Sequence, residues 1–203
     1  MSYEYRIYRW DAQFGINGYE AVHVGRLEGV GFLACGEICI TDDLYIPGAN
    51  VRYAMFFDTN FEVRLVAVTH LATRETKILV SKEPGKWEDG EENAIPEFDE
   101  CLYIDIAGSS FTKSPTIHRL GLDEDERVYI NAISVGYSED ELYFGVDAQR
   151  YTCLELCRPE LPDGSSFRFE NLSAGCTEEF FTNDDGVVFC FANQFGDRLI
   201  PRR

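Results

Sequence analysis

Hydrophobic and polar positions alternate along most of the chain, with the period of two that sends successive side chains to opposite faces of a strand. Val51, Tyr53, Met55 and Phe57 fall on one face of a segment whose other face carries Arg52, Ala54 and Phe56. Val63, Leu65, Ala67 and Thr69 share a face, leaving Arg64, Val66 and Val68 on the other. Further on, Leu142, Phe144, Val146 and Ala148 oppose Tyr143, Asp147, Gln149 and Tyr151. Turn chemistry separates such runs at Asn17-Gly18, Pro47-Gly48-Ala49-Asn50, Asp58-Thr59-Asn60, Pro84-Gly85, Asp163-Gly164 and Asn183-Asp184-Asp185-Gly186. The spacing predicts about a dozen short strands. No segment offers a long capped amphipathic helix; Glu97 to Tyr103 and Ser138 to Leu142 have room for a turn or two. The expected fold is all-β with little helix: a single large curved antiparallel sheet, rolled into a spiral β-roll or open barrel that hides its edges. No linker or repeat interrupts it, so residues 1–203 read as a single β-roll domain.

Charge narrows the partners. The 203 residues carry 36 Asp and Glu against 18 Lys and Arg, a formal net charge of -18. That balance argues against nucleic acid and anionic membrane surfaces, which need clustered cations. No apolar run reaches the roughly 18 residues of a membrane span, so stable insertion is not expected. The opening Met1-Ser2-Tyr3-Glu4-Tyr5-Arg6 lacks a secretory apolar core. With seven cysteines, this points to the reducing cytoplasm and free thiols. Cys35 and Cys39, like Cys153 and Cys157, are four apart, which is about 13 Å along a strand. Two ligands of one zinc lie much closer together, so these thiols read as small buried hydrophobes and no metal site is expected. His23, His70 and His118 stand singly. The acidic runs Glu88 to Glu92 and Asp123 to Glu126 lack calcium-loop spacing and read as solvated turns. No nucleophile elbow, phosphate loop or dinucleotide fingerprint occurs, so no catalytic residue and no cofactor are assigned.

The candidate chemistry is a set of polar residues embedded in apolar strands. Arg64 shares a face with Val66 and Val68, Asp105 with Tyr103, Arg119 with Ile117, and Gln149 and Tyr151 with Asp147 and Tyr143. A buried guanidinium without a partner costs several kcal/mol. Either these side chains form a cluster facing a ligand head group, or they are structural ion pairs on a solvated face.

Glu100-Cys101-Leu102-Tyr103-Ile104-Asp105-Ile106, followed by Ser109 to Leu120, resembles the bacterial glycolipid-binding protein family. There an Asp precedes a segment of the type Thr-Pro-Phe-Thr-Asn-Thr-Leu-Pro-Ile-Arg-Arg-Leu. Asp105, Phe111, Thr112, Ile117, Arg119 and Leu120 match it. Ser110 replaces the first Pro, Lys113 the Asn, Pro115-Thr116 the Leu-Pro pair and His118 the first Arg. Trp10, Gly18-Tyr19-Glu20, Val51-Arg52-Tyr53 with Asp58 to Val66, Gly85-Lys86-Trp87, Asp147 to Thr152 and Asp185 to Val188, with Phe195 and Arg198, extend the resemblance along nearly the whole chain. It implies a β-roll similar to that of periplasmic lipoprotein carriers, which hold acyl chains in an apolar cavity. The implied function is binding of an amphipathic small molecule, a glycolipid or acyl-bearing metabolite. Its head would meet Arg64, Asp105, Thr112, Arg119, Gln149 and Tyr151. Asp105 and Arg119 are expected to form one buried pair or a shared network that includes Arg64. The rival readings are a hydrolase or isomerase with Asp105 or Glu20 as general base, and an interaction module that uses a sheet edge.

Overall fold

The structure, a computed structural model, describes residues 3–13, 16–40, 50–156, 164–183 and 186–192. Pro47 to Ala49, Asp163, Asp184, Asp185, Cys157, Phe195 and Arg198, all singled out above, lie outside the described residues. Seven strands form an antiparallel meander in chain order: β1 (Tyr3–Gln13), β2 (Ile16–Leu27), β3 (Gly31–Ile40), β4 (Asn50–Asp58), β5 (Val63–His70), β6 (Thr76–Glu83) and β7 (Lys86–Asp89). A short 3-10 turn at Pro96–Phe98 leads to β8 (Tyr103–Ile106), and the helix α1 (Lys113–Leu120) follows. Then come β9 (Arg127–Tyr137), β10 (Leu142–Glu155), β11 (Ser165–Asn171), β12 (Cys176–Thr182) and β13 (Val188–Ala192).

The all-β fold with little helix is therefore as expected, but its strands fall into two hydrogen-bonded sheets instead of one. The second sheet has the order β13-β12-β11-β10-β9-β8, and β8 joins β9 in parallel. Parallel neighbours cannot be linked by a tight turn. Here α1 supplies the crossover, and the ladder breaks between β7 and β8. The helix lies outside both segments given room for one. Lys113-Ser114-Pro115 opens it, with Pro115 in the first turn, where its missing N–H is not needed. Gly121 closes it in the left-handed conformation, φ 54°, donating its N–H to Ile117. Asn17-Gly18 is no turn either: both residues lie inside β2, and the hairpin reverses between Gln13 and Ile16.

Period-two alternation divides the second sheet into two working faces. Ile104, Ile106, Ile133, Val135, Tyr137 and Leu142 point to one side, where they join Val22, Ile38, Val51, Tyr53, Met55 and Val68 of the first sheet in the main core. Tyr103, Asp105, Gln149, Tyr151 and Cys153 point to the other side, by their register against β9. There Ile117 of α1 covers Tyr151, Cys153, Phe167, Phe169 and Phe180 in a second apolar cluster. So β10 buries Leu142 at one end and Tyr151 at the other, on opposite faces.

A polar contact ties the layers, and a close packing contact fixes a ring inside the first sheet. His70, fully buried at the end of β5, accepts the Thr73 N–H at Nδ1 (3.2 Å), which leaves Nε2 to donate to the Ser138 carbonyl (2.8 Å) beyond β9. Tyr53 lies across its cross-strand partner Gly36, where an added Cβ would sit 2.2 Å from the ring. Gly36→Ala should thus push the Tyr53 ring from its place and lower stability by about 1–3 kcal/mol, the usual effect of overpacking a core. Urea denaturation reads this directly; an unchanged midpoint would mean the ring has room elsewhere.

Candidate functional site

The segment between β8 and α1 is positioned by a carboxylate of the first sheet. Glu20, on β2 and buried, accepts four hydrogen bonds: from Tyr53 Oη (2.7 Å), Ser109 Oγ (2.6 Å), Ser110 N (2.7 Å) and Phe111 N (3.2 Å). Burial raises its pKa, against those hydrogen bonds, which act to lower it. Glu20 was a candidate general base. Closed in by four donors, it anchors the loop from which the helix starts.

That anchoring delivers Thr112 and Lys113 to Asp105. Asp105 Oδ1 accepts from Thr112 Oγ1 at 3.2 Å and from Lys113 Nζ at 3.4 Å, while Oδ2 accepts from Gln149 Nε2 at 2.9 Å. Gln149 Oε1 accepts the Tyr151 hydroxyl at 3.4 Å, and Thr116 also hydrogen-bonds that hydroxyl. Lys113 sits between two acids, with Glu178 Oε2 of β12 at 3.8 Å, and over the Phe169 ring at 4.6 Å. Desolvation lowers the Lys113 pKa, but Asp105, Glu178 and Glu20 outweigh it, and the ammonium stays charged. Glu178 is pushed up by burial and by Asp105, with Lys113 opposing. The Tyr151 hydroxyl is held neutral well above its ordinary value, by burial and then by the charges of Asp105 and Glu178. The cluster therefore offers one ammonium, two carboxylates and neutral hydroxyl and amide groups within a few ångströms.

Four of the six candidate residues, Asp105, Thr112, Gln149 and Tyr151, meet here. The two arginines do not, and the expected Asp105–Arg119 pair is not formed. Six residues of helix carry Arg119 about 9 Å along the axis from Lys113 and round to another side. Its guanidinium pairs with Glu62 at 3.1 Å and lies over the Tyr103 ring. Arg64 pairs with the same Glu62 at 2.8 Å and with Asp58 at 2.9 Å, so the two arginines do share one network. Arg64 owes its position to a bulge. Phe57 pairs with Val63 and Phe56 with Leu65, which leaves Arg64 as the extra residue. The same bulge brings Val66, Val68 and His70 to the core face, where strict alternation from Val63 would have placed Leu65 and Ala67.

Sequence reasoning missed Lys113, Thr116 and Glu178. Glu178 had a usable signal: it shares strand parity with Phe180, the pattern that singled out Asp105 beside apolar neighbours. Lys113 had none, because its role depends on a helix the alternation did not announce. The cysteines divide as well: Cys101 and Cys153 are buried, whereas Cys35, read as a buried hydrophobe, is exposed on the outer face of β3.

An all-β protein with a charged, hydrogen-bonded cluster closed beneath one short helix is the class that this geometry defines. The chain belongs to the family described as "Putative glycolipid-binding", whose model matches residues 7–195. It is similar to a DUF1089 family protein from Pseudomonas aeruginosa of known crystal structure, with 25% identity over 93% of this chain and 95% of that one, at a TM-score of 0.67. A β-barrel-like protein of the domain of unknown function DUF1849 from Brucella abortus aligns over 97% of this chain and 92% of its own, with 9% identity and a TM-score of 0.49. No curated protein matches the chain. No helix among the described residues is long and apolar enough to cross a membrane.

Two outcomes test this geometry. In double-mutant cycles, Asp105→Ala with Lys113→Met should show strong coupling, since breaking a buried pair costs about 3–5 kcal/mol. Asp105→Ala with Arg119→Met should be additive. Equal coupling in both cycles would contradict the assignment. The raised carboxyls give a pH dependence of definite sign. A carboxyl that holds its proton more tightly folded than unfolded contributes stability below its ordinary pKa, and that contribution is lost as pH rises through the folded value. Urea midpoints of Glu20→Gln, which carries no titrating group there, should therefore fall less with rising pH than those of the native protein. A steeper fall in the variant would reverse the sign.

Proposed function

We propose that the chain binds an amphipathic small molecule, a glycolipid or acyl-bearing metabolite, with a hydroxyl-rich head held at Asp105, Thr112, Gln149, Tyr151, Lys113 and Glu178. The observation that carries this reading is the convergence of these side chains beneath α1, beside the buried apolar side chains of Phe167, Phe169, Phe180 and Ile117. Small-molecule sites have this constitution: mostly apolar walls with a few fixed polar groups. The carboxylates of Asp105 and Glu178 keep 15% and 18% of their side-chain surface exposed, which makes them the open rim of the cluster. Carboxylate oxygens accept hydrogen bonds from sugar-type hydroxyls, and the Gln149 amide and Thr112 hydroxyl add donors and acceptors of fixed direction. Arg64 and Arg119, neutralised by Asp58 and Glu62, support the β4–β5 turn beside the helix and leave the head to the Asp105 cluster. The family's name supports binding in general terms, and the ligand and the residues that hold it are this proposal's own content.

Native mass spectrometry of protein purified gently from its host should find a co-purifying lipid-sized mass. Gln149→Leu, close in volume and without donor or acceptor, should fold and lose that mass. A native protein that carries no lipid under these conditions, or a folded Gln149→Leu that keeps it, would overturn the proposal.

A further inference from the structure

The reverse face of the same strands carries a different chemistry. Alternation that aims Val128, Ile130, Gln149, Tyr151 and Phe169 at α1 aims Arg127, Tyr129, Arg150 and Arg168 the opposite way. Register brings these four together: Arg127 lies opposite Thr152, which lies opposite Arg168, and Tyr129 lies opposite Arg150 in the next row. This end of the sheet extends beyond the part that packs on the first sheet, and Tyr129 is 60% exposed. In a chain of net charge -18, three arginines around one exposed phenol form a local concentration of positive charge.

How the charges pair matters more than their number. Arg150 is held by Glu170 through two close contacts, and Arg168 by Glu179 at 2.7 Å. Arg150 also reaches the Tyr129 hydroxyl through Nη1 at 3.1 Å, and its guanidinium lies 5.6 Å from the ring centre. Arg127 hydrogen-bonds the same hydroxyl, and together the two cations lower its pKa. Two guanidiniums thus act on one neutral oxygen, and the Glu170 carboxylate, paired with Arg150, also feels the charge of Arg127. The donors that meet there are planar and multidentate, the geometry that matches an oxyanion.

We infer that Arg127, Tyr129, Arg150 and Arg168 form an anion-binding site for a phosphate group, on the face of the second sheet opposite α1. The phosphate oxygens take hydrogen bonds from Arg127 and Arg150 beside the Tyr129 hydroxyl, and the surplus positive charge that Glu170 and Glu179 leave is neutralised. The site stands apart from the Asp105 cluster, separated from it by the thickness of one sheet. Its ligand is independent of whatever the cluster holds.

Inorganic phosphate titrated into the native protein at low ionic strength, followed by amide chemical shifts, should give saturable changes confined to Arg127 to Tyr129, Arg150 and Arg168 to Glu170. Arg127→Gln, at an exposed strand end, should weaken binding about tenfold, the value of one charge-assisted contact of roughly 1.4 kcal/mol. Arg52→Gln on the first sheet should change nothing. A parallel flotation assay compares phosphatidylglycerol vesicles with phosphatidylcholine vesicles. Co-flotation with phosphatidylglycerol alone, lost in Arg127→Gln, assigns the phosphate to a lipid headgroup. Saturation by free phosphate without flotation assigns it to a soluble ester. Shifts that chloride reproduces at equal ionic strength, binding unchanged in Arg127→Gln, or the absence of both phosphate binding and flotation would overturn the inference.

Discussion

The arrangement depends on a carboxylate that is buried and, among the described residues, has no ion pair with a lysine or arginine. Glu20 is satisfied by two backbone N–H groups and two hydroxyls, three of the four donors coming from the segment that links β8 to α1. A buried carboxylate is tolerable only when its oxygens are so occupied. The donors in turn are tolerable in the interior only because Glu20 is there. This mutual dependence fixes the path by which the chain leaves the edge of the second sheet and crosses to its far face. Thr112 then sits where its hydroxyl can serve Asp105 and also accept the Ile106 N–H, and Lys113 enters the space between Asp105 and Glu178. The helix caps the cluster as a consequence of a contact on the opposite side of the sheet.

Much of this was legible in the chain because strand alternation is a local property. The core face of β4 follows directly from Val51, Tyr53, Met55 and Phe57, all buried. The choice of Asp105, Gln149 and Tyr151 rests on the same rule, as they are polar groups at positions whose neighbours are apolar. The rule fails where the period changes. A single bulge residue, Arg64, reverses the faces of the rest of β5, and eight residues of helix move Arg119 away from Asp105 to Glu62. The helix carries local signals of its own, Pro115 in the first turn and Gly121 as a left-handed cap, that strand alternation does not read. The division into two sheets had no local signal at all. It follows from a parallel pairing between β8 and β9, which is decided by where α1 packs.

Three of the strands of the second sheet, β9, β10 and β11, present opposite chemistry on their two sides. One side carries acids and neutral hydrogen-bonding groups beside aromatic rings under the helix, and the other carries arginines in the open. Adjacent residues such as Gln149, Arg150 and Tyr151 serve opposite surfaces, so a one-residue slip of register would exchange the two. The buried side is strongly fixed by Phe167, Phe169 and Phe180, and this in turn holds the arginines on the outside. On that outer side Glu170 and Glu179 pair with Arg150 and Arg168, so the three arginines exceed the two paired acids by one charge.

The central claim is that the cluster beneath α1 receives the polar head of a bound amphiphile. The most direct measurement is a crystal structure of the protein purified gently from its host, with its ligand retained. The account predicts ligand density within hydrogen-bond distance of the Asp105 carboxylate and the Gln149 amide, with the tail running over Phe169 and Phe180. Ligand density lying instead on the outer face of the first sheet, around Leu33 and Ile78, with the Asp105–Lys113 pair untouched, would contradict it.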